Sequence, residues 1–166
     1  MRPIYETQDT TDRARAAAQH FLEHHWATHS CHPTDHDTVD YELQPLPSAY
    51  PADYAIVRRS TAAVVAMLEV KCRNQKVGDF DTYLLALQKA SKLVAMAQWT
   101  QTLLLVDYRD GQWAYQFSSA GAPGYLFASG RSDRGDAADS EPCVFLPKTW
   151  GRVLAKEISG GAGSPS

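Results

Sequence analysis

No stretch of this chain narrows its possible folds as sharply as AAVVAMLEVKCRN, residues 62–74. Its first seven residues are apolar and rich in valine, the composition of a strand buried on both faces. Glu69, Lys71 and Arg73 then follow at intervals of two. Side chains alternate along a strand, so these charges share one face, with Met67 and Val65 preceding them. On an inner strand such charges are costly unless they are paired, hydrated or bound to a metal. Either the run ends in a plain ion pair or it ends in a site.

The flanking pattern supplies neighbours for this strand. Thr10 and Thr11 are placed to cap a helix opening at Asp12, with Ala14, Ala17, Ala18, Phe21, Leu22, His25 and Trp26 on its apolar stripe. This helix is expected to end at 26–29, before the polar loop HSCHPTDHD. Residues 39–44 read as a short strand closed by Pro45 and Pro47. YAIVRR reads as a second strand, and a turn at 59–61 pairs it with the apolar run as an antiparallel hairpin. Asp79 or Asp81 is expected to cap a second long helix burying Tyr83, Leu84, Leu87, Ala90, Val94 and Ala97. TLLLVDY reads as an inner strand, and Arg109-Asp110-Gly111 signals a hairpin into QWAYQF.

The expected order is helix, three-strand meander, helix and one or two further strands. That is an α+β (α/β/α-like) fold with a mixed sheet flanked by helices. Residues 1–117 form its core domain. Residues 118–142, rich in Gly, Ala, Ser and Asp, read as a low-complexity loop. Residues 143–158 read as a strand or helix packing back on the core, and 159–166 as a flexible tail.

Composition excludes several classes. Apolar content of 44% and charged content of 21% are those of an ordinary globular domain. No stretch approaches about 18 uninterrupted apolar residues, and the first residues lack a signal-peptide core. Three scattered cysteines argue against a disulfide framework and for a reducing, cytoplasmic setting. Net charge is −3, but it is unevenly spread. Residues 1–53 hold nine acids against three arginines, or −6, while 54–92 hold seven bases against three acids, or +4. A central basic block suits an anionic partner touching one face.

Asp53 adds meaning to the charged strand end. In the hairpin pairing it falls close to 65–69, so two carboxylates and a lysine converge at one edge of the sheet. A hard divalent cation needs such oxygens, together with the backbone carbonyl of Val70. A lysine beside it can hold or activate an attacking water and offset phosphate charge.

YPADYAIVRR…VVAMLEVKCRN resembles the PD-(D/E)xK nuclease superfamily, whose motif is an acid on one strand and Glu-x-Lys on the next. The likeness spans roughly residues 10–117 and is greatest to small phage-type nuclease-like proteins. TYLLALQKASKLVAMAQ and LLLVDYRDGQWAY match the helix, strand and hairpin found there after the motif. The resemblance implies a restriction-endonuclease-like core and a Mg²⁺- or Mn²⁺-dependent nuclease that hydrolyses DNA through a metal-activated water. Asp53 and Glu69 would hold the metal, and Lys71 the water. Gln88 or Lys89 would reach the phosphate or support the site. Arg58, Arg59, Arg73, Lys76, Gln88, Lys89 and Lys92 are the candidate nucleic-acid contacts. Enzymes of this kind often pair to cut two strands, so a homodimer is one arrangement implied. An inactive, phage-associated nucleic-acid- or protein-binding module is the alternative. In this chain the proline usually next to the acid stands one position early, as Pro51. The glutamate that several relatives carry on the first helix has only Glu23 or Asp12 to match it.

All six histidines lie within 20–36. His20, Glu23 and His24 spell H-x-x-E-H, an inverted zinc-peptidase motif with ligands one helical turn apart. Cys31, His32 and His36 offer further ligands, at a spacing that fits no common zinc knuckle or finger. The motif has no companion ligand from a distant helix, so zinc binding or peptidase activity is the remote alternative.

Overall fold

The structure, a computed structural model, describes residues 8–26, 40–120, 125–130 and 140–156. The apolar stripe at the start of the chain forms helix α1, Gln8–His24, which begins earlier than Asp12. It buries Ala17, Ala18, Phe21 and Leu22, with Trp26 just beyond. Strands β1 (Tyr41–Pro45), β2 (Tyr54–Arg58) and β3 (Ala63–Cys72) then run as an antiparallel meander. β3 is the inner strand its composition implies, paired with β2 on one side and with β5, Gln101–Asp107, on the other.

A register shift opposite Ile56/Val57 interrupts the β2–β3 ladder, leaving Val65 outside the partner series. Alternation restarts there. Val65 consequently packs with the α1-side cluster of Leu68 and Val70, not on the Met67 face that unbroken alternation implies.

The second long helix is a correction. Residues 82–86 form strand β4, Thr82–Ala86, and helix α2 occupies only Leu87–Met96. Tyr83 and Leu85 are buried and Leu84 is exposed, a period of two. The deciding partner is remote in sequence, since β4 pairs antiparallel with β8, Ser140–Pro147. Asp79 caps a 3-10 turn at Val77–Asp79, accepting the Lys76 N–H at 2.8 Å, and no side chain caps α2.

Strand β5, Gln101–Asp107, returns parallel to β3, and Tyr108 to Asp110 turn it into β6, Gly111–Phe117. Residues 118–142, expected as a loop, contain strand β7, Tyr125–Gly130, which pairs with β8. A 3-10 turn at Lys148–Trp150 leads to β9, Arg152–Ala155, on the edge beside β6. The described strands form a six-stranded sheet, β1-β2-β3-β5-β6-β9, and a three-stranded sheet, β4-β8-β7.

The larger sheet carries two cores. On one face α1 covers Tyr54, Ile56, Leu68, Val70, Leu103 and Leu105. On the other, Ala90 and Leu93 of α2 and Leu85, Val144 and Leu146 of the small sheet cover Leu104, Val106, Trp113 and Tyr115. Each large apolar side chain so buried contributes about 1.5–3 kcal/mol. Glu69 stands inside this second layer. The expected α+β architecture is present.

Candidate active site

Alternation after the register shift sends Leu68 and Val70 toward α1, and Met67 toward the α2 side. Glu69 and Lys71 share that second side, where α2 supplies Lys89. Lys71 Nζ lies 2.7 Å from Glu69 Oε1, and Lys89 Nζ lies 3.0 Å from the same oxygen. Lys89 also donates to the Pro51 carbonyl at 3.0 Å. The Glu69 carboxylate is wholly buried, and Oε2 has no hydrogen-bond partner among the described residues. Buried carboxylate oxygens are ordinarily satisfied, so an orphaned one is a feature that the packing of the fold does not explain.

Asp53 immediately precedes β2, where the ladder ends at Tyr54 opposite Leu68. Its N–H donates to the Leu68 carbonyl at 3.1 Å, and its Oδ2 accepts the Val70 N–H at 2.7 Å. The backbone on both sides of Glu69 therefore holds Asp53 in place.

Burial pushes the Glu69 carboxyl above its ordinary range; the Lys71 charge pulls it back and the Asp53 charge adds to the rise. Burial pulls Lys71 down, but the charge and hydrogen bond of Glu69, with the charge of Asp53, outweigh it and leave Lys71 raised. A lysine held this firmly protonated supports an anion and does not act as a free base.

A cleft of about 560 Å³ opens beside these groups. Asp53, Val70, Lys71, Arg73 and Lys89 line it, with Thr10 and Thr11 from the first turns of α1 and the 45–52 loop opposite. Arg73 is oriented by Tyr83, donating to its hydroxyl at 2.8 Å with the guanidinium carbon 5.2 Å from the ring centroid. Burial pushes the Tyr83 hydroxyl up to about 12, so it remains a neutral partner.

The basic block of 54–92 does not form a single face. Arg58 and Arg59 stand at the turn end of β2, the opposite end from Asp53, near acids of their own. Arg58 Nε is 4.0 Å from Asp40, and Arg59 Nε is 3.4 Å from Glu42. Lys76, Gln88 and Lys92 are exposed and do not line the cleft. Lys71, Arg73 and Lys89 are the basic candidates that the fold gathers. Glu23 and Asp12, the candidates for a helix-borne glutamate, instead accept hydrogen bonds from Gln19 and Gln8 on the exposed side of α1.

The chain matches the family model described as phage putative PDDEXK endonuclease over residues 1–150. It belongs to that family. No curated protein matches this PDDEXK chain by sequence. Among solved structures it is similar to Archaeoglobus fulgidus Hjc, a Holliday junction resolvase from an archaeal hyperthermophile, at 13% identity. That similarity covers 66% of this chain and 79% of Hjc, with a TM-score of 0.37.

Within this PDDEXK chain the donor set fits a hard divalent ion. Asp53 and Val70 line the cleft with oxygens of the kind such an ion takes, and Glu69 lies buried next to Val70 with its Oε2 unpartnered among the described residues. No group of three or more His, Cys, Asp or Glu that could hold a metal ion is found among the described residues. The His20 and His24 rings lie 4.6 Å apart on α1, while Cys31, His32 and His36 lie outside the described residues. No helix of the described residues is long and apolar enough to cross a membrane. Sequence reasoning missed two functional neighbours. The Pro51 carbonyl is the second anchor of Lys89, and a contact to a backbone carbonyl leaves no signal in residue type. Tyr83 as the partner of Arg73 was hidden by its assignment to a helix.

Proposed function

We propose that this PDDEXK protein is a Mg²⁺- or Mn²⁺-dependent nuclease that hydrolyses DNA phosphodiester bonds. The observation that carries the reading is the buried Glu69 carboxylate, with Lys71 at 2.7 Å, an unpartnered Oε2, and Asp53 fixed to the next backbone amide. When bound by Asp53, Glu69 and the Val70 carbonyl, a divalent ion would polarise the phosphate and lower the pKa of a water. Lys71, held protonated by Glu69 and Asp53, orients that water and offsets charge accumulating on the phosphoryl oxygens. Arg73, braced by Tyr83, meets a phosphate of the strand lying in the cleft. Lys89 adds a further positive charge on the cleft wall.

The test is cleavage of single-stranded, duplex, nicked and branched DNA with Mg²⁺ or Mn²⁺. Asp53→Ala, Glu69→Ala and Lys71→Ala should each remove the activity, and EDTA should remove it from the wild type. Should the wild type leave all four substrates intact, the nuclease reading fails. The second reading, a binding module on a nuclease fold, is favoured by one observation. α1 brings Thr10 and Thr11, and no carboxylate, to the cleft. Wild-type DNA binding that survives in EDTA without any cleavage would select it.

A further inference from the structure

Lys89 has two anchors, and neither is a substrate group. Its Nζ lies 3.0 Å from Glu69 Oε1 and 3.0 Å from the Pro51 carbonyl, while its side chain keeps 30% of its exposure on the cleft side. Glu69 has none. An ion arriving from the cleft therefore meets the two lysines before it meets the carboxylate. Charge gives the same answer. Asp53 and Glu69 carry −2 and Lys71 and Lys89 carry +2, so these four groups are already neutral without a metal. A divalent ion would leave them at +2 unless a cation moved away or an anion arrived.

We propose that Lys89 is a built-in counter-ion, an ammonium that holds the Glu69 carboxylate in the metal-free protein and competes with the divalent ion for it. Lys71 is less suited to that exchange, because it sits two residues from Glu69 on the same strand and is fixed by it. Lys89 comes from α2 and its methylenes can swing into the cleft. There a phosphodiester oxygen replaces the lost carboxylate as its partner. Metal and DNA then favour one another, since each removes the charge imbalance the other creates. This inference rests on the proposed metal-dependent nuclease site.

The experiment is calorimetric titration of the DNA-free protein with Mn²⁺, comparing wild type, Lys89→Met, Lys89→Gln and Lys89→Arg. A partly exposed ion pair is worth up to about 1 kcal/mol, so its loss should tighten Mn²⁺ binding about fivefold in the Met and Gln variants. Lys89→Arg, which keeps the charge, should stay near wild type. Arg152→Met removes an exposed charge on edge strand β9, three strands from β3 in the sheet, and should also stay near wild type, which excludes a mere net-charge effect. Circular dichroism of each variant checks folding, and two neutral variants guard against one that fails to fold.

Asp53→Ala separates the two possible failures. If wild type binds Mn²⁺ in a manner lost in Asp53→Ala, yet Lys89→Met and Lys89→Gln bind no tighter, the counter-ion role is overturned and the metal site stands. If wild type shows no Asp53-dependent Mn²⁺ binding, the nuclease reading falls and takes this inference with it.

Discussion

Asp53 Oδ2 accepts the backbone N–H of Val70 at 2.7 Å, so the strand that carries Glu69 and Lys71 also positions the other acid. The two acids come from different strands, yet their relative placement is set through the backbone. A hydrogen bond to an ionised acceptor is stronger than a neutral one, and this one keeps Asp53 at the cleft wall.

Asp53→Asn separates that anchoring from chemistry. The amide retains an oxygen for the Val70 N–H but has no charge to offer a cation. Cleavage should fall by about a hundredfold or more, while stability changes by only about 1 kcal/mol. Thermal unfolding and a DNA cleavage time course measure the two effects. Wild-type cleavage by Asp53→Asn would remove Asp53 from the ion-binding role.

Tyr83 and Tyr108 should ionise late. Burial pushes both hydroxyls up to about 12; at Tyr83 the Arg73 charge partly opposes it, and at Tyr108 the Tyr83 charge adds to it. A folded-state pKa above the unfolded value of about 10 means that the native protein holds its proton longer. The stability so gained is fully present below about pH 10 and is lost as pH rises toward 12. Spectrophotometric titration of tyrosinate should show a late fraction that shrinks in Tyr83→Phe and again in Tyr108→Phe. Normal titration of every tyrosine would contradict the tight packing around β4.

Asp107 ties four parts of the chain together. Its Oδ1 is 3.0 Å from Lys156 Nζ and accepts from Gln112 Nε2 at 3.1 Å, while Oδ2 is 3.5 Å from Arg13 of α1. Arg13 also donates to the Arg73 carbonyl at 2.8 Å, so the network reaches the end of β3. Asp107→Ala should cost about 1–3 kcal/mol, less than for a fully buried pair, because Arg13 and Lys156 keep part of their hydration. Urea unfolding measures it, and a loss below about 0.5 kcal/mol would make the network incidental.

Gly151 leaves no room for a side chain. A Cβ there would stand 2.4 Å from Trp113 Nε1 and 2.6 Å from the Ala114 carbonyl. Trp113 is fully buried, and its indole N–H donates to the Lys148 carbonyl at 3.0 Å, so it has little freedom to retreat. Gly151→Ala should therefore destabilise by about 1–3 kcal/mol, read as a lowered Tm. An unchanged Tm would mean that the Lys148–Trp150 turn is looser than its contacts imply.

Local chemistry alone was enough to reveal the apolar stripe of α1, the β2–β3 hairpin, the inner character of β3 and the turn into β6. Each is encoded in a periodicity or a turn residue within a short window. The closeness of Asp53 to Glu69 followed from the hairpin, since a short connection leaves antiparallel strands few registers. Non-local choices were different. TYLLA reads equally well as helix or strand until the chain 140–147 supplies a partner, and that pairing shortened the second helix. The register shift that turned Val65 to the α1 side has no signature in its own residues. Lys89 and Lys92 lie three apart on one helix, yet only Lys89 reaches Glu69. Which lysine enters a site depends on how α2 is rotated against the sheet, and long-range packing of Ala90 and Leu93 sets that rotation.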